Sequence, residues 1–459
     1  MFAKKSKMLF MLMAAGMIMG LVACQSATTP VPATEGPAAT QAVAATQAPA
    51  TNTPQPAAKR VLKIWHYEGA DSAMGQSWNG AMTDYQAAHP DVTIQFELKT
   101  FDQIQQTASM VLNSADAPDV LEINQGNSTA GLYATQGLLT DLTAEATKMG
   151  WDKLLPPSIQ TTCRYDATTG IMGSGPLWGV TTYGEFVMVY YNQDMFDKQG
   201  IAVPTNYDEF TAAADKFVKA GITPIALGGL DKWPVTQNFY ELALYKADRS
   251  FVNTYELFQG TLDFHGPVFT YAATELLSQV KKGYYGKNAT GTSYNDANAA
   301  FTQGTYPMDL TGSWMFGTFL TSIKDFKWGI FVMPGKTLNT GSGGNLWVVP
   351  AGAKNKDLAY DFIDLTLQAK AQTVMANAGG IPLSADLTQI TDPHVKALNE
   401  AFSTIVKNDG LAFYPDWPVV GYMDTLGGAL QELIGGTKTP TQFLDTIASP
   451  WNDFKATLK

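Results

Sequence analysis

The sequence predicts an α/β protein built as two lobes, and three stretches predict it. Residues 61–123 read strand, helix, strand, helix, strand, for which a parallel sheet with crossover helices is the simplest topology. A second strand-and-helix set begins near Glu185. Between 301 and 350, three more strand-like runs surround a short helix and a glycine-rich loop, so the chain is expected to cross between lobes there.

In the first set, residues 61–65 form the opening strand, with Trp65 expected in the core. Residues 72–88 are helix-compatible and stop before Pro90. Val92, Ile94, Phe96 and Leu98 then alternate as a strand with one covered face. Residues 101–112 are helical, and Ala117-Pro118-Asp119 leads into a strand at 120–123. In the second set, 186–191 is an apolar run of strand length. Thr205 is the expected cap of a helix whose Phe210, Ala213 and Phe217 share one face. Residues 221–227 supply the next strand, and helical segments follow to 282.

The stretch 301–350 holds the most informative corner. A strand ends near Leu310 and Thr311-Gly312-Ser313 turns the chain. Gly312 permits close backbone approach, and Ser313 or Thr311 is placed to cap the next helix. Trp314 is thereby left at a strand-to-helix corner, where α/β sheets present groups to ligands. Further strands are expected at 327–333 and 346–349. Helices dominate after Pro350: Leu358, Phe362 and Leu365 share a face, and Pro393 takes a first-turn position after Asp392. The expected division is lobe 1 at 61–183, lobe 2 at 184–305, a return to lobe 1 at 306–340 and lobe 2 again at 341–459.

The N-terminus has its own logic. Lys4, Lys5 and Lys7 precede an apolar run at 8–23, the pattern of an export signal over 1–23. Residues 24–58 are rich in Ala, Thr and Pro, with one acid, Glu35, and no aromatic. Such a segment cannot bury a core and is expected to be an extended tether. The net charge of −11 and the lack of a basic cluster after Arg60 argue against nucleic-acid binding. The four histidines, 66, 89, 265 and 394, have no metal-ligand spacing, so neither metal nor cofactor is expected. Gly335-Lys336-Thr337 is not a phosphate loop, because five residues rather than four separate Gly329 from Gly335. Cys163, the second of two cysteines, is expected to be a small buried hydrophobe.

The ordered motifs Phe301-x-x-Gly304, Thr311-Gly312-Ser313-Trp314, Met333-Pro334, Gly343-Gly344 and Val349-Pro350-Ala351-Gly352-Ala353-Lys354-Asn355 carry a resemblance. Tyr190-Tyr191-Asn192-Gln193-Asp194-Met195-Phe196, Gly379-Gly380-Ile381-Pro382 and Tyr414-Pro415-Asp416-Trp417-Pro418 extend it. Together, from Val61 onward, they resemble the carbohydrate-specific solute-binding proteins of bacterial ABC importers, extracellular solute-binding family 1, related to maltose-binding protein. The resemblance implies a type II periplasmic-binding-protein-like fold: two α/β lobes, two or three crossing segments, a ligand cleft between them, and C-terminal helices mainly on lobe 2. It implies an oligosaccharide ligand carried intact by a monomer to membrane permease subunits. Leu21-Val22-Ala23-Cys24 resembles the bacterial lipobox, which implies lipidation of Cys24 and an extracytoplasmic location on a membrane anchor. The alternatives are a surface glycoside hydrolase, since paired carboxylates are a spatial feature, and a passive surface lipoprotein.

Sugar recognition needs flat apolar faces and planar polar groups from which water is excluded. Five places offer both: Tyr67 and Glu68 after the first strand; Asn124, Gln125 and Asn127 after the third; Tyr183 and Glu185 at a crossing; Asp231 and Trp233 in a loop; and Trp314 with Asn345 and Trp347. Trp417, beside Tyr414 and Asp416, is a sixth. Trp178 and Trp328 sit in apolar strand contexts and are expected in the core.

Overall fold

The computed structural model describes residues 59–458; the expected signal, Cys24 and tether lie outside the described residues. The first strand, β1 (Arg60–His66), alternates so that Leu62, Ile64 and His66 face inward. Helix α1 (Ala73–Ala88) follows, its first turn held by Ser72, whose hydroxyl accepts the Gly75 N–H at 2.9 Å. Then come β2 (Val92–Leu98), α2 (Phe101–Leu112) and β3 (Val120–Ile123). Both β2 and β3 pair with β1 in parallel, as the pattern predicts. Trp65 is a correction: it points away from the core, half-buried, with the Lys99 ammonium 4.2 Å over its ring, and His66 takes the inward position. Register explains this, since neighbouring strand residues face opposite ways.

The first sheet runs β2, β1, β3, then Leu346–Val348 and Val180–Thr181. The second is organised on Gly184–Asn192, buried along nearly its whole length. Met308–Gly312 and Trp328–Phe331 flank it antiparallel, Gly341–Gly343 pairs with its beginning, and Ile225–Ala226 lies parallel to Met308–Gly312. Two expected assignments are thereby reversed. Residues 306–340, expected in lobe 1, carry strands of the second sheet, and Leu346–Val348, expected in lobe 2, belongs to the first. The helices Lys356–Leu367 and Ala369–Asn377 also pack on α1, so the C-terminal region is shared between the lobes. Only Pro393–Lys407, Tyr422–Ile434 and Pro440–Thr457 lie against lobe 2. Short apolar strands carry no local mark of their partner; long-range pairing decides it.

Smaller corrections concern caps. Asn206, not Thr205, caps Tyr207–Lys219, accepting the Glu209 N–H at 2.9 Å. Neither Thr311 nor Ser313 caps a helix; the Ser313 hydroxyl instead accepts the Phe186 N–H at 3.3 Å and ties the corner to the central strand. Lys336 is buried beside Glu241 at 2.8 Å, and Glu241 also accepts the Thr340 N–H at 2.8 Å. This pair clamps the 336–340 segment to the helix Trp233–Ala243. Trp178, Trp328 and Cys163 are buried, as expected.

Candidate functional site

The chain passes from one sheet to the other near 181–184 and 343–346, and from the helices packed on the first lobe to those packed on the second near 379–382. A cavity of about 670 Å³ lies above these crossings, lined from both lobes. That is within the size range of about 300–1,000 Å³ usual for small-molecule sites.

Lobe 2 supplies an aromatic wall. The Trp233 ring lies 4.3 Å from Tyr294 and 6.0 Å, edge-on, from Trp314. Trp314 leads to Tyr414 at 6.3 Å, and Tyr414 to Trp417 at 5.0 Å. The Trp314 indole N–H donates to the Tyr294 hydroxyl at 2.7 Å, so its polar edge is satisfied within the protein. Gly312 is needed for this pose, because a Cβ there would stand 2.0 Å from the Trp314 ring. Gly126, at φ +86, leaves room for Trp417 in the same way, with 2.5 Å to its side chain. Lys232 (φ 66) and Phe413 (φ 62) hold left-handed backbone immediately before Trp233 and Tyr414. Such strain persists where surrounding structure enforces it, often at ligand sites.

The polar groups come from strand ends and crossings. Tyr67, Glu68 and Asn124 follow β1 and β3; Tyr183, Glu185 and Asn345 stand on the crossings. Burial pushes the Glu185 carboxyl up to about 8, with the Tyr414 hydroxyl and Ser342 pulling it partly back and the Glu68 charge raising it. Burial likewise lifts Glu68 to about 7; Ser72, donating to it at 3.0 Å, lowers it and Asp71 raises it. Asp416 is lifted to about 6 by burial. Glu122, behind the cavity, is pushed well above the carboxylate range by burial and then by Glu68, and it accepts the Tyr67 N–H at 3.1 Å.

Of the residues singled out from sequence, Tyr67, Glu68, Asn124, Tyr183, Glu185, Asp231, Trp233, Trp314, Asn345 and Trp417 line this cavity. Three do not. Trp347 faces α1, 1% exposed, with Trp78 at 4.4 Å and His66 at 6.0 Å. Gln125 is fully buried, and its amide donates to the carbonyls of Gly343 and Gly344. Asn127 donates to the Glu256 carbonyl at 2.9 Å and accepts the Met172 N–H at 2.8 Å. The last two satisfy backbone groups that burial would otherwise leave unpaired. Tyr294, Phe101 and Leu98 line the cavity without having been singled out. The Ser293 cap before Tyr294 marks a helix start, a signal that could have flagged it. No cluster of three metal-type ligands occurs among the described residues.

Such a site can hold a molecule against aromatic faces while tyrosines, amides and carboxyls bond its polar edge. A "Probable sugar-binding periplasmic protein" of Brucella suis is 28% identical over 207 residues, 42% of this chain and 43% of the relative. The "Multiple sugar-binding protein" of Streptococcus mutans is 26% identical over 204 residues, 43% of this chain and 48% of the relative. The chain thus spans less than half the length of these curated relatives. Among solved structures, a chitin oligosaccharide binding protein superposes with a TM-score of 0.72 at 21% identity, over 87% of this chain and 99% of that one. The GacH receptor of Streptomyces glaucescens does so at 0.67 and 19%, over 87% and 100%. These structures share the two-lobe solute-binding fold. The family model of bacterial extracellular solute-binding proteins matches residues 69–373, and the chain belongs to that family.

Proposed function

We propose that this chain is the substrate-binding lipoprotein of an ABC importer, capturing an oligosaccharide between its lobes for delivery to membrane permease subunits. The observation that carries the reading is the continuous aromatic wall from Tyr294 through Trp233 and Trp314 to Trp417, opposite Tyr67, Glu68 and Asn124. Aromatic faces stack on the C–H faces of sugar rings, and several in a row suit more than one ring. In this reading Trp233, Trp314 and Trp417 stack, while Tyr67, Glu68, Asn124, Tyr183, Glu185, Asp231 and Asn345 bond hydroxyls. Closure of the lobes excludes water and strengthens those bonds. Binding needs no reaction of the ligand and no cofactor. The lipid on Cys24 and the 24–58 tether would hold the monomer outside the cytoplasm within reach of the permease. The printed names of the relatives, which are sugar-binding, support the substrate class. Calorimetry of the mature protein against mono- and oligosaccharides tests the reading. Saturable heat with an oligosaccharide is expected; heat only with an amino acid or phosphate would remove it.

A further inference from the structure

The cavity is unbalanced in charge. Glu68, Asp71, Asp102, Glu185, Asp231 and Asp416 line it, whereas Lys99 is its one cationic lining residue among those described. Lys99 is spent elsewhere: its ammonium sits 2.7 Å from Glu97 and over the Trp65 ring. Glu185 and Asp416 are 5% and 6% exposed, and neither forms an ion pair among the described residues. The Tyr414 hydroxyl beside them is buried without a hydrogen bond of ordinary geometry. Asp102 at the start of α2 and Asp231 of lobe 2 both line the cavity, one from each lobe. In a water-poor cleft such carboxyls are costly to ionise unless a cation is supplied.

Resting on the sugar-binding reading, we propose that the ligand is a cationic sugar, an oligosaccharide bearing protonated amines, and that acidic sugars are excluded. Burial keeps protons on Glu68 and Glu185 in the empty cleft, and an ammonium placed between them displaces those protons and makes charge-assisted hydrogen bonds to both carboxylates. The Trp233 and Trp314 faces add cation–π attraction for the same group. A second amine near the mouth would meet the Asp102 and Asp231 carboxylates, which line the cavity from the two lobes. A uronate would add charge of the wrong sign and find no free cation.

Matched trimers test this by calorimetry at neutral pH: a β-1,4-linked glucosamine trimer, its N-acetylated counterpart, cellotriose and a uronate trimer, with maltotriose and xylotriose alongside. The glucosamine trimer is expected to bind at least about tenfold tighter than the neutral trimers, the difference between charge-assisted and neutral hydrogen bonds. That advantage should shrink as salt rises and fall in Glu185→Gln and in Asp102→Asn; the second variant lies on an exposed first turn and spares the fold. A neutral trimer or the uronate binding as tightly as the amine would overturn the proposal and leave the sugar reading standing. So would an amine advantage unchanged in both variants, which would mark nonspecific attraction to an acidic protein. Silence from every trimer would overturn both.

Discussion

The Tyr183 hydroxyl accepts the Asn345 backbone N–H at 3.1 Å and ties the first crossing between the sheets to the second. Gly344 donates its N–H to the Tyr183 carbonyl at 2.7 Å, and Gly184 donates to the Ile381 carbonyl at 2.8 Å, drawing in the third crossing. Gly344 lies so close that a Cβ would stand 2.0 Å from the Tyr183 ring. The floor of the cavity and the junction of the three crossings are therefore one structure. Tyr183→Phe keeps the ring and leaves the Asn345 N–H unpaired. It is expected to lower unfolding free energy in urea by about 1–3 kcal/mol, the cost of an orphaned buried donor. No measurable change would mean that water replaces the hydroxyl.

Trp314 tests the aromatic wall. Trp314→Ala is expected to weaken binding of the cognate sugar about three- to tenfold, since aromatic contacts contribute about 0.5–1.5 kcal/mol beyond area burial. Calorimetry reads the affinity and circular dichroism the fold. Gly312→Ala should displace the indole from its place across the turn and destabilise by about 1–3 kcal/mol through overpacking. Unaltered affinity in both variants would place Trp314 outside the ligand's path.

The buried Lys336–Glu241 pair should be strongly asymmetric under mutation. Lys336→Met strands the Glu241 carboxylate and is expected to cost about 3–5 kcal/mol. Lys336→Met with Glu241→Leu should recover part of that loss, because two apolar groups avoid desolvating a charge. Chemical denaturation of the two variants gives the comparison, and a double variant worse than the single one would contradict it. The Glu241 bond to the Thr340 N–H is lost in the double variant, so recovery should be incomplete.

Stability of the unliganded protein should fall between pH 6 and pH 8. Burial raises Glu185 to about 8, Asp309 to about 8, Glu68 to about 7 and Asp416 to about 6. The native state thus holds protons that the unfolded chain releases near pH 4. The stability this confers is fully present below the unfolded values and lost as pH rises through the folded ones. His66 acts oppositely and lower: burial holds it near 3, so its contribution is lost as pH falls below about 6.5. Thermal melts should show a higher Tm at pH 6 than at pH 8, with a flatter slope in Glu185→Gln. A Tm that climbs from pH 6 to pH 8 would be incompatible with these buried acids.

Cys24 can be tested without reference to the folded body. Cys24→Ser should abolish incorporation of a labelled fatty acid and release the protein from the membrane fraction. Persistent label would refute lipidation at that position.

Much of lobe 1 was legible in the sequence because its signals are local. The spans of β2 and α2 need only neighbours within one or two turns, although Phe96 and Leu98, expected on the covered face of β2, are exposed in the structure. Corner positions were legible for a related reason: Tyr67, Asn124, Asp231 and Trp314 follow strands, and strand ends in α/β sheets open on clefts. The strand Leu346–Val348 was assigned to the wrong lobe because a three-residue apolar run pairs equally well with either sheet in the abstract. Trp347 and Trp314 looked alike from their glycine-rich surroundings, yet register with Glu122 turns Trp347 onto α1. Gln125 looked like a ligand contact, but its amide serves carbonyls more than 200 residues away.

The order of residues alone therefore determined which segments become strands and helices, and which chemistry stands at their ends, since those choices depend on spacing along the chain. The tertiary structure decided which sheet each late strand joins, which polar side chains are consumed by distant backbone, and that the carboxyls lining the cleft converge with Lys99 as the one cation among the described lining residues. Those outcomes depend on contacts made only when far parts of the chain meet.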